Sequence, residues 1–357
     1  MQNQNKEDLR KTRSFEINEL TPELKVSLKV RVISAIVGIA IALPMVLLGD
    51  FFFAALIGAI LFIANFEIVR CAKGNYSIIL YTFALIIAAV IAFWPMVANI
   101  SDWSHWRVFS GFSTLKVSIS LMCVGAFLLF ELILVDKNFT VRDACFIFAM
   151  DVLISIGVQS TLFLRYFPCF KYHADAAANG VTVPYFNFFD NFASSTLVIY
   201  MLFGSLFTDV GAYFFGVFFG KKKINERISS KKTWAGFFGG IGTSAVLTMV
   251  FAFALALSGH PIGGEGVLSL DHWYHIVILS IIMPVIATLG DFSFSAVKRY
   301  YGIKDFGNIM PGHGGALDRV DSIMFTAIIV AIYVSMFFGT TPLSSGIVNL
   351  VWWKFVY

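Results

Sequence analysis

Residues 274–297 read YHIVILSIIMPVIATLGDFSFSAV, and this stretch decides the fold. It holds no Lys or Arg and one acid, Asp291, near its far end. About 20 apolar residues carry a helix across the roughly 30 Å hydrocarbon core of a bilayer, so the stretch reads as a membrane span. Eight others read the same way, at 32–49, 51–69, 78–98, 117–135, 144–164, 194–218, 235–258 and 323–339. Of 357 residues, 58% are hydrophobic and 13% charged, with 39 phenylalanines, more apolar surface than a water-soluble fold can enclose. Lipid-exposed backbone must satisfy its own hydrogen bonds. The expected fold is therefore all-α, a polytopic integral membrane protein with about nine transmembrane helices.

Charge placement orients those spans. With the N-terminus inside, 21 of the 26 Lys and Arg residues fall on inward-facing segments. The positive-inside bias puts the N-terminus and both basic, glycine-rich loops on the cytoplasmic side, where nucleotides are. The tail before the first span carries both charge signs and is not read as a cleavable signal peptide. Residues 1–31 read as a cytoplasmic tail with an interfacial helix opened by Thr21-Pro22-Glu23. Residues 32–193 read as an N-terminal transmembrane region ending in a long outer loop at 165–193, and 194–357 as a C-terminal region that carries the chemistry. Cys71, Cys123, Cys145 and Cys169 form no C-x-x-C pair and read as small apolar residues.

Five acids fall within or at the ends of spans, at a cost of roughly 2.5–3.5 kcal/mol each in mid-span. Glu67, a turn from Arg70, reads as structural or snorkelling, as do Glu131 and Asp151. Asp209 and Asp291 stand apart, because small and polar residues share their helix faces. Asp209, Ala212, Gly216 and Gly220 form a stripe that permits close approach of another helix or a ligand. Asp291, Ser295 and Lys298 form a polar seam leading out of the membrane.

Two loops follow these faces. The first runs from Gly220-Lys221-Lys222-Lys223 to Lys231-Lys232-Thr233-Trp234 and on to Gly236 and Gly239-Gly240. Two readings stay open for it, a basic membrane anchor or a loop whose freed amides and cations hold phosphate. The second carries Lys298-Arg299, Lys304, the turn Pro311-Gly312-His313-Gly314-Gly315, then Asp318, Arg319 and Asp321. Metal-dependent phosphoryl or nucleotidyl transfer needs carboxylates for Mg²⁺ and cations for phosphate oxygens, and this loop supplies both. Salt bridges within the loop are the competing reading, and His313 is either a phosphate donor or an incidental part of a helix-linking turn.

The run Ser295-x-x-Lys298-Arg299-x4-Lys304-Asp305-x5-Pro311-Gly312-His313-Gly314-Gly315-x-x-Asp318-Arg319-x-Asp321 closely resembles the signature of the phosphatidate cytidylyltransferases, or CDP-diacylglycerol synthases. Gly290-Asp291, the Asp209–Lys221 region and Ser229-x-Lys231-Lys232-Thr233-Trp234 match as well. Ser230, Ala235 and Phe294 depart from the pattern, where the family usually has proline, an acid and often an acid. The resemblance implies that CTP and phosphatidate give CDP-diacylglycerol and pyrophosphate, with Mg²⁺ as cofactor and Mn²⁺ as a substitute. It implies Asp291 and Asp318 as primary metal ligands, with Asp321 a ligand or its partner. Lys298, Arg299 and Lys304 would hold substrate phosphates, and Lys231 and Lys232 the triphosphate or the phosphatidate head. Asp209, His313 and Arg319 would line the same site. The partners the resemblance implies are CTP, phosphatidate and membrane lipid, with no nucleic acid and a homodimer as an option. The rivals are a membrane lipid or isoprenoid-alcohol kinase, an ether-lipid cytidylyltransferase and, more distantly, an ion-coupled transporter.

Overall fold

The computed structural model describes residues 22–72, 76–98, 114–178, 188–264, 267–309 and 314–338. Nine α-helices lie among them: α1 (Pro22–Leu48), α2 (Asp50–Cys71), α3 (Ile78–Ala98), α4 (Thr114–Val135), α5 (Val141–Ala178), α6 (Phe188–Phe219), α7 (Trp234–Leu257), α8 (Trp273–Tyr300) and α9 (Leu317–Phe338). Six of them, α2 and α5 to α9, are long and apolar enough to cross a membrane, while α1, α3 and α4 carry the shorter apolar stretches Ile36–Leu48, Ile78–Trp94 and Ile119–Val135. The architecture is all-α and polytopic, as the composition requires.

Within the bundle α5 packs against α2, α3, α4, α6 and α9, and α9 packs against α2, α6 and α8. One buried apolar cluster runs through it, from Phe53 and Leu61 on α2 through Ile154 and Leu162 on α5 to Met283 on α8 and Val330 on α9. The small-residue stripe of α6 does meet a helix. A Cβ at Gly236 would stand 2.7 Å from the Ala212 carbonyl oxygen, and one at Gly240 would stand 2.8 Å from that of Thr208. Glycines thus let α6 and α7 touch main chain to main chain.

Several elements differ from expectation. The first helix runs unbroken from Pro22 to Leu48, so an interfacial helix is not set off from the first span. Pro22 does occupy the first helical position, while Thr21 lies outside the described residues. The outer loop expected at 165–193 is mostly helix, since α5 continues to Ala178 and α6 begins at Phe188. Arg165 ended the apolar reading there, yet it is fully buried, its Nε donating to the Val46 carbonyl at 2.9 Å and its guanidinium reaching Leu47 at 3.3 Å. Those carbonyls belong to the last turn of α1, which has no further helical N–H to satisfy them. Asp151 is likewise buried and accepts from Asn65 at 2.9 Å, whereas Glu131 is exposed.

The first basic loop folds into an antiparallel hairpin of β1 (Lys223–Asn225) and β2 (Ser229–Thr233). It feeds directly into α7, because Thr233 has an extended backbone and its hydroxyl accepts the Gly236 amide at 3.1 Å. That is an N-cap, and it holds the hairpin against the start of the helix.

Candidate active site

A cavity of about 240 Å³ opens between α6, α7, α8 and the hairpin. Asp209 on α6, Lys232 on β2 and Asp291 on α8 provide its charges. Thr208, Thr233 and Thr288 add hydroxyls, and Tyr213 and Phe237 aromatic walls. Asp209 sits deep among protein atoms yet is accessible through this opening. Lys232 pairs with Asp291 and also stands 4.1 Å from the centre of the Phe292 ring. Ser295 donates to the other Asp291 oxygen at 3.3 Å, which realises the first step of the polar seam.

The seam then crosses to α9. Lys298 is buried and pairs with Asp318 Oδ1 at 2.8 Å, and its Nζ is 3.9 Å from Asp321 Oδ2. Asp321 lies within Coulombic range of Asp291, Asp209 and Lys298, and Asp209 within range of Lys232 and Arg319. Residues from α6, α8, α9 and the hairpin thus form one electrostatic unit. Among the described residues no three His, Cys, Asp or Glu side chains converge as a ready-made metal cage.

Local sequence explains the loop between α8 and α9. Gly302 has φ 64°, and its N–H donates to Arg299 at 3.1 Å while that of Ile303 donates to Lys298 at 2.9 Å. This pairing satisfies the last carbonyls of α8 and needs a residue free to adopt a left-handed backbone. The chain then turns back so that Asp318 Oδ2 accepts the amides of Phe306 at 2.8 Å and Gly315 at 3.0 Å. Glu67, on α2, accepts the amides of Ala316 at 3.0 Å and Leu317 at 2.9 Å. The amides of Gly315, Ala316 and Leu317 are therefore all taken by carboxylates.

The candidate residues are not all equivalent. Asp209, Lys232, Asp291, Lys298, Asp318 and Asp321 come together. Asp318, expected to be a primary ligand, spends both oxygens on Lys298 and two amides in this structure. Arg299 faces away, its guanidinium donating to Ile228 at 3.3 Å and Ile303 at 3.0 Å, so it ties the hairpin to the end of α8. Arg319 and Lys304 are exposed. The Lys231 side chain and all of His313 lie outside the described residues, as does the Ser230 side chain. Phe294 points away from the cavity, buried between Phe306 and Phe325 with ring centres 5.9 and 6.0 Å away, so its departure from the family pattern changes packing. Glu67 was read as a structural or snorkelling acid. No signal in its neighbourhood foretells a partner 249 residues away.

The profile of the cytidylyltransferase family matches residues 29–337. The chain is similar to the phosphatidate cytidylyltransferase of Synechocystis sp., at 28% identity over 330 residues covering 85% of this chain and 95% of that protein. It is similar to the Bacillus subtilis enzyme of the same name, at 29% identity over 303 residues covering 84% and 95%. A Mycobacterium leprae protein of that name is 33% identical over 172 residues, covering 45% of this chain and 50% of its own. Because that match spans most of the chain, including α6, α7, α8 and the hairpin that bound the cavity, the chain belongs to the cytidylyltransferase family.

Proposed function

We propose that this protein is a membrane-embedded phosphatidate cytidylyltransferase that moves CMP from CTP to phosphatidate, giving CDP-diacylglycerol and pyrophosphate. The observation that carries the reading is the charged unit of Asp209, Lys232, Asp291, Lys298 and Asp321 beside the cavity, in a chain that matches curated enzymes of that name over 95% of their length. Phosphatidate brings its own anionic nucleophile. A phosphate oxygen of the lipid attacks the α-phosphorus of CTP, a new P–O bond forms there, and the α–β anhydride bond breaks with its electron pair leaving on pyrophosphate. No protein nucleophile is needed, so the task is to bring two polyanions together and to stabilise charge on the transferring group.

The residues fit Mg²⁺. Their donors are carboxylate oxygens, and Mg²⁺ is usually held by one or two of these plus substrate phosphates, so a ready-made cage is not required. Asp291 and Asp321 would hold it, with Asp209 in reach and Asp318 organising the loop around them. When bound, Mg²⁺ would neutralise phosphate charge and polarise the α-phosphoryl group. Lys232 and Lys298, loosened from their aspartates, would hold phosphate oxygens. Tyr213 and Phe237 line the cavity with apolar surface and limit water around the reacting groups.

The labelling test separates this reading from the kinase. With α-labelled CTP, the label is expected in the lipid extract, and with γ-labelled CTP in pyrophosphate. Transfer into lipid from the γ position alone would replace the proposal with phosphoryl transfer.

The site is proposed to face the cytoplasm, a reading supported by the 21 of 26 basic residues on that side. The hairpin and the loop after α8 touch through Arg299 and Ile228, so they share a side. In a background without native cysteines, Asn225→Cys and Lys304→Cys are expected to resist impermeant maleimide in intact cells and to react after lysis. Labelling of either from outside would reverse the orientation.

A further inference from the structure

We propose that Glu67 is a positioning residue for the transfer reaction. It locks the first turn of α9, and with it Asp318 and Asp321, at the register the chemistry requires, an inference that rests on the nucleotidyl-transfer reading above. The amides of Ala316 and Leu317 begin a helix whose first N–H groups have no partner within the helix. Such donors are ordinarily met by a Ser, Thr, Asp or Asn just before the helix. Here the residue just before α9 is Ala316, preceded by Gly314 and Gly315, and none of the three has a polar side chain to offer. Glu67 supplies the cap from α2, with its side chain buried and both oxygens engaged. A carboxylate there also meets the positive end of the α9 dipole.

The loop is shaped around this carboxylate. A Cβ at Gly315 would stand 2.6 Å from the Glu67 carboxyl carbon, and one at Gly307 would stand 2.9 Å from it. Glycine on both sides forms a socket that only bare backbone can close. The same turn delivers the Gly315 amide to Asp318, whose other oxygen holds Lys298. Asp321 follows about one helical turn after Leu317. The socket therefore sets where three reacting-site groups stand, and a misplacement of about 1 Å in such groups can cost about 100-fold in rate.

The test compares purified full-length protein with the variants Glu67→Gln, Glu67→Asp, Gly315→Ala and the double variant Glu67→Asp/Gly315→Ala. Glutamine keeps the volume but turns one acceptor into a donor that faces a backbone donor. Glu67→Gln is expected to lower kcat about tenfold or more, to leave the KM for phosphatidate within about twofold, and to raise the Mg²⁺ concentration for half-maximal rate. Gly315→Ala is expected to be as harmful alone. Glu67→Asp withdraws the carboxylate by one methylene and makes room for the alanine, so the double variant is expected to be no slower than the slower single variant. A Glu67→Gln protein with normal kcat below a lowered melting temperature would overturn the proposal, and so would single losses that multiply. Hydrogen exchange at the Ala316 and Leu317 amides reads the socket without catalysis. It should quicken in Glu67→Gln, and unchanged exchange would overturn the proposal. A wild-type protein that makes no cytidine lipid while showing that quickening would overturn the functional reading alone.

Discussion

Asp321→Asn is expected to reduce kcat about 100-fold or more, equivalent to about 2.7 kcal/mol of transition-state stabilisation, while the protein purifies and melts as the parent does. Asp321 accepts the Ser322 amide at 2.7 Å through one oxygen, and an asparagine carbonyl can take over that bond. What disappears is the negative charge on the oxygen 3.9 Å from Lys298 and facing Asp291 across the site. Asp318→Asn makes an informative contrast. Its oxygens hold Lys298 and the Phe306 and Gly315 amides, so the asparagine is expected to lower both activity and thermal stability. Activity of Asp321→Asn above about a tenth of the parent's would remove this residue from the proposed metal site.

The second large effect lies far from the chemistry. Arg165→Met is expected to destabilise the protein by about 3 kcal/mol or more, because it removes charge-assisted bonds to a buried and a part-buried carbonyl at the end of α1. The melting midpoint in detergent should fall by roughly 10 °C. Arg165→Lys keeps the cation at the end of the α1 dipole but not the planar fork, so it should recover part of the loss. An Arg165→Met protein melting within about 2 °C of the parent would show that the cap carries little of the fold's stability.

These two residues mark what could be read from the chain and what could not. Asp209 and Asp291 were legible because an acid in an apolar helix is costly and must have a use. Helix α3 was legible to the residue, since a hydrophobic run between polar ends has one reading. Arg165 was misread for the same reason, because a cation ordinarily ends a span. The carbonyls that keep it inside belong to a helix more than a hundred residues earlier. The hairpin was missed because its eight residues in two strands are polar and short, with no alternation against a core. Glu67 had the right kind of signal but its partners are distant. Local pattern reveals that a buried charge needs compensation, whereas only packing reveals where the compensation comes from.

Lys232 holds Asp291, and Lys298 holds Asp318 beside Asp321. The four aspartates gathered here, Asp209, Asp291, Asp318 and Asp321, thus share two lysines, an excess of carboxylate that a divalent ion would offset. On the proposed reading, a divalent ion arriving by itself would displace the lysines from their carboxylates, and a triphosphate by itself would draw the lysines off and strand the aspartates. Arriving together they let every group change partners at once, cations to phosphates and carboxylates to the ion. On that reading nucleotide and metal are linked ligands, each raising the other's affinity.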